Sequence, residues 1–502
     1  MAKYKQTEAK SGQGLFLSVN LMEQLLPGTF EYMLNALICK KIDISMFDKN
    51  YNNDKTGASA IPPRVLIKLI IYGYSKGIKS SRSIDELSKN NIIAKALSED
   101  LEPHWTTIAD FISCNSEIFK EIFVKVLAYC AELELIGGET FAGDGCRLPS
   151  NASIELTGKK EDLEKRLKIY RRMAEKHIAK HKRHDEKGKN DEETERCYQL
   201  QQKKLTRNIE KISSFLKNIE IKEGRRGKET TSNITDNESA LILTSQGYIQ
   251  GYIGLAVSDK KEQIIVSAEA VGSANEGEHF PRMLETTVNN LEKAGVKRKK
   301  KIKMLADKNY FCEENLKACK EQNVQAIIAD PQYKQRLGDN KNKRYEADDF
   351  KYYKKGNYYK CPNGKQLTFK RINKNSEGDE GMVYQASVKD CRNCPLNAKC
   401  LKTRKDISKL DRGRSLFITE SNSPGSLSVA LRKKLNTQEY QDEYAYRIQI
   451  IEPVFSNITH CKKLDRFSLR GKKKVNGQWL LYCMVHNLGK CLKGYNKKKG
   501  YT

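Results

Sequence analysis

Short apolar segments that end next to an acidic residue place the strongest constraint on how this chain can fold. One such segment, 139–145, carries Asp144, and another, 301–306, is followed by Asp307. The other expected elements are a hairpin of two strands, an amphipathic helix, a further strand and a later helix, at 248–257, 263–271, 279–295, 324–328 and 437–458. This order predicts a mixed α/β fold around a central sheet, in which two neighbouring strand ends can carry the two aspartates.

The charge balance indicates a polyanionic partner. The 502 residues carry a formal net charge of +28, and basic residues occur in runs such as 472–474 and 497–499. A phosphate polyanion is the natural partner for such a surplus, and a merely soluble basic protein is the alternative. The start of the chain has no long apolar run and no segment reads as a bilayer span. We therefore expect an intracellular protein with reduced thiols and no membrane partner.

Carboxylates in a basic protein are candidates for phosphodiester chemistry. Two divalent ions about 4 Å apart, held by carboxylates, assist the cleavage of such bonds, and Mg²⁺ prefers oxygen ligands. The candidates are Asp144, Asp307 and Glu452, the last in a predicted helix just before Pro453. The alternative is ordinary, because most of the 63 acidic residues are surface charges and a strand-end aspartate is usually a turn former.

Three stretches together resemble one family. Residues 141–153 read Phe-Ala-Gly-Asp-Gly-Cys-Arg-Leu-Pro-Ser-Asn-Ala-Ser, 305–311 read Leu-Ala-Asp-Lys-Asn-Tyr-Phe, and 444–455 contain Tyr-Ala-Tyr-Arg and Ile-Glu-Pro-Val-Phe. In content and order they are similar to blocks of the DDE transposases of bacterial insertion sequences, although Asn309 replaces a usual glycine. That family shares an RNase H-like catalytic domain. With the helical N-terminal region, the likeness spans nearly the whole chain.

The resemblance implies a role for each site residue. The ligands of two Mg²⁺ ions, which Mn²⁺ can replace, would be Asp144, Asp307 and Glu452. Tyr444 and Arg447 would contact DNA near the cut end. The family often has a lysine seven residues after the glutamate, where this chain has Thr459, and Lys462 is the nearby substitute.

The activity implied by the resemblance is cut-and-paste transposition. The protein would bind the terminal inverted repeats of its own element, hydrolyse the ends and join the free 3′ hydroxyls to target DNA. Its partners would be double-stranded DNA and a second copy in a homodimer, in the bacterial cytoplasm at the nucleoid. Two alternatives remain: a transposase-derived DNA-binding protein that has lost cutting, and a related Mg²⁺-dependent nuclease. Motifs of P-loop, dinucleotide-binding and HExxH proteins are absent from the sequence.

The resemblance and the composition together predict an RNase H-like mixed sheet flanked by helices and interrupted twice. A helical N-terminal domain (1–130) for DNA binding is followed by the first catalytic strand (131–156). The first interruption, 157–227, is a helical hairpin, because Leu205, Ile209, Ile212 and Leu216 follow heptad spacing. The catalytic domain continues over 228–335, a cysteine-containing insertion covers 336–436, and the final helices and basic tail occupy 437–502.

Four cysteines within forty residues indicate a metal site. Cys391 and Cys394 form a CxxC pair, with Cys400 after it and Cys361 before it. Four thiolates bind Zn²⁺ tetrahedrally, and such a site stabilises a segment that has little core of its own. The alternative is four reduced, unpaired thiols in a polar loop. A zinc ion here would have a structural or DNA-contacting role.

Overall fold

The computed structural model describes residues 20–51, 59–186, 192–218, 222–224, 227–297, 301–331, 344–375, 378–401 and 411–501. The chain divides into two compact units. The first comprises Met1–Phe111 with Cys491–Thr502, and the second comprises Ile112–Lys490. The fold is mixed α/β, as the order of elements predicted.

The first unit is helical in its described part, in agreement with the prediction. Its helices are α1 (Phe30–Lys40), α2 (Pro63–Ser75), α3 (Ser81–Asn90), α4 (Ile92–Ser98) and α5 (Trp105–Cys114), the last of which ends beyond the unit boundary. Helix α2 begins at Pro63, which lacks a backbone N–H. Nothing is lost there, because the first N–H groups of a helix have no partner within the helix. Residues 65–74 of α2 are all buried. This helix therefore forms the centre of the unit's core.

A buried lysine of this core is paired with a partly exposed glutamate. Lys68, which is 1% exposed, donates from Nζ to Asn35 Oδ1 at 2.9 Å and to Glu99 Oε1 at 3.2 Å. Arg64 donates to both oxygens of the same Glu99 carboxylate, at 2.9 and 2.8 Å. The hydrogen bond from Arg64 and the charge of Lys68 lower the pKa of Glu99 to about 2. One carboxylate thus accepts hydrogen bonds from two cations, which leaves one positive charge in excess.

The second unit contains the remaining helices and all the strands. The helices are α6 (Ser116–Glu132), α7 (Lys160–Asp185), α8 (Glu192–Lys217), α9 (Phe280–Lys293), α10 (Glu313–Glu321), α11 (Val388–Arg392), α12 (Asn397–Cys400), α13 (Leu427–Leu435), α14 (Gln438–Ser456) and α15 (Lys472–Lys499), of which the last nine residues belong to the first unit. The strands are β1 (Thr140–Pro149), β2 (Thr157–Gly158), β3 (Ser232–Asn233), β4 (Ala240–Thr244), β5 (Gly247–Asp259), β6 (Ile265–Val271), β7 (Lys303–Ala306), β8 (Gln325–Ile328), β9 (Lys351–Tyr353), β10 (Tyr358–Lys360), β11 (Gln366–Lys374), β12 (Glu380–Ala386) and β13 (Ser415–Ile418).

The central sheet has the order β4-β5-β1-β7-β8, and β6 pairs with β5 beside β4. Strands β1, β7 and β8 run parallel, whereas β5 is antiparallel to β1, β4 and β6. The expected end of β1 at Asp144 was wrong, because the strand continues to Pro149. The long strand β5 carries the pairing on to Pro149↔Gly251, while pairing with β7 stops at Gly143↔Ala306. Asp144 therefore lies where one neighbour of β1 ends.

Helices cover both faces of this sheet. Met283 of α9 lies 3.3 Å from where a Gly143 side chain would begin, on one face. On the other face, Trp479 of α15 donates from Nε1 to the carbonyl of Leu255 at 2.9 Å. The Trp479 ring lies so close to β5 that a Cβ at Gly254 would approach it to 2.9 Å. Only glycine fits under this tryptophan.

Asparagine side chains occupy the outer edge of β6. The backbone N–H of Ile265 donates to Asn487 Oδ1, and its carbonyl accepts from Asn487 Nδ2, both at 2.8 Å. Ala270 N–H donates to Asn476 Oδ1 at 2.9 Å. Both asparagines belong to α15, so a helix supplies hydrogen bonds that a further strand would otherwise make.

Helices α7 and α8 pack against each other in antiparallel orientation, as predicted. His181 contacts Glu195 at 2.6 Å, and His177 contacts Gln201 at 2.8 Å. Residue numbers therefore fall along α7 in the direction in which they rise along α8. Leu163 and Ile212 are fully buried. The predicted connection at 187–191 lies outside the described residues.

A second sheet lies in a region for which the sequence predicted irregular structure. Its order is β13-β12-β11-β10-β9, and all its neighbours are antiparallel. Its small core contains Phe350, Tyr359, Leu367, Tyr384, Ala386, Leu416 and Ile418. The prediction was wrong because the strands are short and mostly exposed, so β11 shows little alternation of polar and apolar residues.

No helix in the described part of the chain is long and apolar enough to cross a membrane.

Candidate active site

Asp144 and Asp307 occupy equivalent positions on adjacent parallel strands. Gly143 of β1 pairs with Ala306 of β7, and the two aspartates are the next residues of their strands. Both are half-buried. Each carboxylate contributes to the negative potential at the other, because the charge of Asp307 raises the pKa of Asp144. Asp307 follows the last residue of its strand, whereas Asp144 lies within β1 and not at its expected end.

Arg447 of α14 forms an ion pair with Asp144. Its Nη1 donates to Asp144 Oδ2 at 2.8 Å, and the Gly145 N–H donates to Oδ1 at 2.8 Å. The Nε of Arg447 is buried without a hydrogen-bond partner in the described structure. Burial lowers the pKa of Arg447, but the charge of Asp144, with smaller contributions from Tyr444 one turn earlier and from Asp307, raises it overall. Two of the predicted DNA-contacting residues therefore lie at the first aspartate.

Glu276 is a third carboxylate near the aspartates, and the sequence prediction missed it. The residue is 5% exposed, and its Oε1 accepts from Asn309 Nδ2 at 2.8 Å. A side chain at Gly145 would begin 2.5 Å from Glu276 Oε2, so only glycine permits this approach. The charge of Glu276 raises the pKa of Asp144. Nothing in the local sequence distinguishes this glutamate from the many others, since the contact depends on the folded sheet.

Tyr310 places a buried hydroxyl at the same group of carboxylates. The residue is fully buried, and its hydroxyl has no hydrogen-bond partner in the described structure. Burial raises the pKa of Tyr310 well above its ordinary value, and the charges of Glu276, Asp144 and Asp307 act in the same direction. An unsatisfied buried hydroxyl costs free energy, so its retention beside three acids indicates a site built for a further polar group.

The three carboxylates are short of positive charge. Burial raises the pKa of Asp144 to about 6, even though the Gly145 N–H and Arg447 both stabilise its ionised form. Arg147 adds a longer contact, 3.5 Å from Nη2 to Glu276 Oε1. A cation bound between these oxygens would relieve the repulsion and restore the ionised form of Asp144.

Glu452 lies on α14 and Lys462 follows the C-terminal end of that helix. Glu452 is exposed, whereas its neighbours Ile451 and Val454 are buried against the sheet. Thr459 donates to the carbonyl of Phe455 at 2.8 Å, and Lys462 is half-buried. Within the described residues, no three acidic, histidine or cysteine side chains stand together in an arrangement that holds a metal ion. Glu452 is not among the charged groups that shift the pKa of Asp144.

The four cysteines of the second sheet lie near one another. The pKa of Cys400 is raised by burial and also by the charges of Cys391, Cys394 and Cys361. Backbone N–H groups donate to two of the sulfurs, from Lys365 to Cys361 Sγ at 3.3 Å and from Arg414 to Cys391 Sγ at 3.3 Å. Such bonds stabilise thiolates, although the described thiols do not themselves form a ligand set.

Two family models match separate parts of the chain. The Transposase DDE domain matches residues 360–492, and the Transposase domain (DUF772) matches residues 19–114. Both matches support an insertion-sequence DDE transposase. The matched domains support a transposase function, and the family implies DNA as the partner. The DDE match contains Arg447 and Glu452, while Asp144 and Asp307 precede it. No curated protein matches the chain.

Proposed function

We propose that this transposase binds the ends of its own insertion sequence, cleaves them and joins the free 3′ hydroxyls to target DNA. The observation that carries the proposal is the pair Asp144 and Asp307 on adjacent parallel strands, in a group of acids short of positive charge. The mixed sheet with helices on both faces supports an RNase H-like catalytic domain. The net charge of +28 supports DNA binding.

The donor set fits Mg²⁺. Asp144, within β1, and Asp307, immediately after β7, offer hard oxygen ligands, which is the chemistry this ion prefers. When bound, Mg²⁺ lowers the pKa of an attacking water and stabilises the leaving oxygen, and Mn²⁺ can do the same. The third ligand by family resemblance is Glu452. Glu276 is the carboxylate whose charge acts on Asp144 in the folded chain.

The chain's own residues orient the reacting DNA. Arg447 holds Asp144 in the free protein, and its guanidinium suits a DNA phosphate in the complex, because Arg binds both groups through the same N–H fork. Tyr444, packed against Arg447, would contact DNA near the cut end. In the reaction, water attacks phosphorus and the P–O3′ bond breaks. The freed 3′ hydroxyl then attacks a target phosphodiester and displaces a target 3′ oxygen.

The remaining assignments follow from this function. The helical first unit would recognise the terminal repeats. Lys462 would contact DNA in place of the lysine that the family often has at the position of Thr459. Two copies of the protein, as a homodimer, would hold the two ends of the element together. The protein would act at the nucleoid. Cys361, Cys391, Cys394 and Cys400 would hold a structural Zn²⁺, which is supported by their mutual electrostatic contacts and by two N–H···S bonds.

A second candidate is a DNA-binding relative that no longer cuts. Two observations favour it: Thr459 stands where the family often has lysine, and Glu452 is exposed. A related nuclease without strand transfer would share the cutting step. All three candidates bind DNA, so only cutting and joining separate them.

One assay tests these candidates. Purified protein, Mg²⁺ and a duplex carrying the element's ends are incubated, and nicked and joined products are measured. We expect Asp307→Ala to lower cleavage by roughly 10²–10³-fold or more, because a ligand of the reacting centre is lost. Asp442→Ala, at an exposed position of α14, is the matched control. Cleavage that persists in Asp307→Ala would refute the carboxylate assignment, and a wild type that binds but never nicks would support the second candidate.

A further inference from the structure

The outer face of the second sheet presents lysines and tyrosines in register. Lys351 of β9 lies directly opposite Lys360 of β10, and Tyr353 lies opposite Tyr358. Because side chains alternate along a strand, these two pairs share one face. The tyrosine rings stack with centroids 5.1 Å apart and planes 9° from parallel. We call these four residues the Lys–Tyr face.

The lysine ammonium groups are held over an aromatic ring. Lys351 Nζ lies 5.7 Å from the centroid of Tyr353, and Lys360 Nζ lies 5.6 Å from the same centroid. Cation–π attraction of this kind restrains both side chains and keeps the two charges on one patch. Two further lysines, Lys354 and Lys355, follow in the turn between the strands and are exposed.

No acidic residue balances these charges in the described part of the chain. None of the four lysines forms an ion pair there, and their neighbours across β11 on the same face are Gln366 and Thr368. Like charges directly opposite in a sheet destabilise it. The arrangement therefore carries a cost in the free protein that an anion would remove.

Protection of a sheet edge explains only part of this pattern. Lysines on an edge strand prevent unwanted strand addition, and β9 is an edge strand, so Lys351 fits that role. Lys360 does not fit it, because β10 lies between β9 and β11 inside the sheet. The stacked tyrosine pair also has no function in edge protection.

We propose that the Lys–Tyr face, with Lys354 and Lys355, binds the phosphate backbone of duplex DNA. The proposal rests on the transposase function proposed above and assigns one DNA contact to this sheet. The face is positively charged, with Lys351 exposed and the other three side chains half-buried. It would position DNA without selecting sequence. The tyrosines keep the two ammonium groups at a fixed spacing on the surface.

The test measures DNA binding by the full chain without divalent ions, so that cutting does not intervene. Fluorescence anisotropy with a labelled duplex of the element's end, and with an unrelated duplex, is recorded over a range of salt concentrations. We expect Lys351→Ala/Lys360→Ala to weaken binding roughly tenfold or more at ~0.1 M salt for both duplexes. The slope of log K against log salt should decrease by about 1.8, since each phosphate contact contributes about 0.9.

Two control variants make the result specific. Lys165→Ala/Lys317→Ala removes the same charge from lysines that are paired with Glu161 and Glu420, and should leave the slope unchanged. Lys351→Arg/Lys360→Arg keeps the cations and should retain affinity. Thermal unfolding of Lys351→Ala/Lys360→Ala should occur no earlier than in the wild type, because a like-charge pair is removed.

Each outcome decides the proposal. If Lys351→Ala/Lys360→Ala keeps the wild-type affinity and slope, the Lys–Tyr face does not bind DNA, and the proposed transposase function still stands. The proposal is also overturned if the paired-lysine control loses as much affinity, or if only binding to duplex RNA is weakened. A wild type that binds no duplex at all would remove both this proposal and the proposed function.

Discussion

Two ion pairs, one in each unit, use the same chemical groups in opposite proportions. In the first unit, Glu99 receives hydrogen bonds from Arg64 and Lys68, and its pKa falls to about 2. In the second unit, Arg447 is the cation that contacts Asp144, while burial, together with the charges of Glu276 and Asp307, raises the pKa of Asp144 to about 6. The first arrangement has one positive charge in excess, so its carboxylate is fully paired. The second has a surplus of negative charge.

This difference separates a structural ion pair from a functional one. A carboxylate with two cations contributes to folding and needs no ligand. Three carboxylates with two arginines keep a net negative charge that reduces the stability of the free protein, which is typical of sites that bind a further cation. The comparison of these two ion pairs thus identifies the candidate site by its excess of negative charge.

The largest expected effect is on the free energy of unfolding when the ion pair of Glu99 is broken. Glu99→Gln leaves Lys68 buried with only neutral partners and should lower the free energy of unfolding by about 2–3 kcal/mol, less than for a fully buried pair because a third of Glu99 is exposed. Hydrogen exchange of the α2 amides at pH 7 measures this. The difference should shrink as pH falls from about 4.5 towards 2, where Glu99 becomes protonated in the wild type too. Glu102→Gln, which removes an exposed partner of Lys95, is the control and should change little.

Loss of the Asp144 charge should change stability in the opposite direction. Asp144→Asn removes one charge of the surplus and should stabilise the metal-free protein by roughly 1–2 kcal/mol. Because the folded pKa of Asp144 is raised, the gain should be full above about pH 6 and vanish below its ordinary value of 3.8. Chemical denaturation in EDTA, with β1 hydrogen exchange as the readout, measures it. A loss of stability larger than that of the exposed control Asp442→Asn would contradict the comparison.

Divalent ions should bind with a pH dependence set by Asp144. Only the ionised carboxylate is a ligand, so the apparent affinity for Mn²⁺ should rise about tenfold between pH 5 and pH 7 and level off above about pH 7. Isothermal titration calorimetry measures this without DNA. Affinity that is constant from pH 5 to pH 7 would exclude Asp144 as a ligand, and Asp144→Asn should show no such dependence.

The smallest effect concerns Glu276. Glu276→Gln keeps an oxygen acceptor for Asn309 but removes the charge that acts on Asp144. The pH midpoint of Mn²⁺ binding should therefore move down by a few tenths of a unit. Glu278→Gln, two residues away and half-exposed, is the control and should leave the midpoint in place. An unchanged midpoint in Glu276→Gln would mean that this glutamate is not electrostatically coupled to the site.

The sequence predicted those parts of the site that depend on local pattern. A strand followed by an acid is visible in 139–145 and 301–307, and the parallel pairing of β1 with β7 brings Asp144 and Asp307 together. The antiparallel pair α7 and α8 was predicted from heptad spacing for a similar reason. Local pattern thus predicted these elements, whereas the catalytic role of Asp144 and Asp307 stays a prediction.

Contacts between distant segments were not predictable in this way. Glu276 reaches Asp144 only because Gly145 has no side chain, and Arg447 lies 303 residues from its partner. The second sheet was missed because its core is small and its strands carry charged residues on both faces. The role of Glu452 as the third metal ligand stays a prediction. The buried residues of α14 face the sheet, whereas Glu452 is exposed on the same helix.

The asparagines on the outer edge of β6 have a consequence for synthesis of the chain on the ribosome. Asn476 and Asn487 lie more than 200 residues after the backbone groups that they bond. Until α15 has been made, the edge of β6 lacks these hydrogen bonds and offers a surface for pairing with another chain. Completion of the sheet therefore waits until α15 has been synthesised, and a chain that stops before residue 472 would emerge with an open edge.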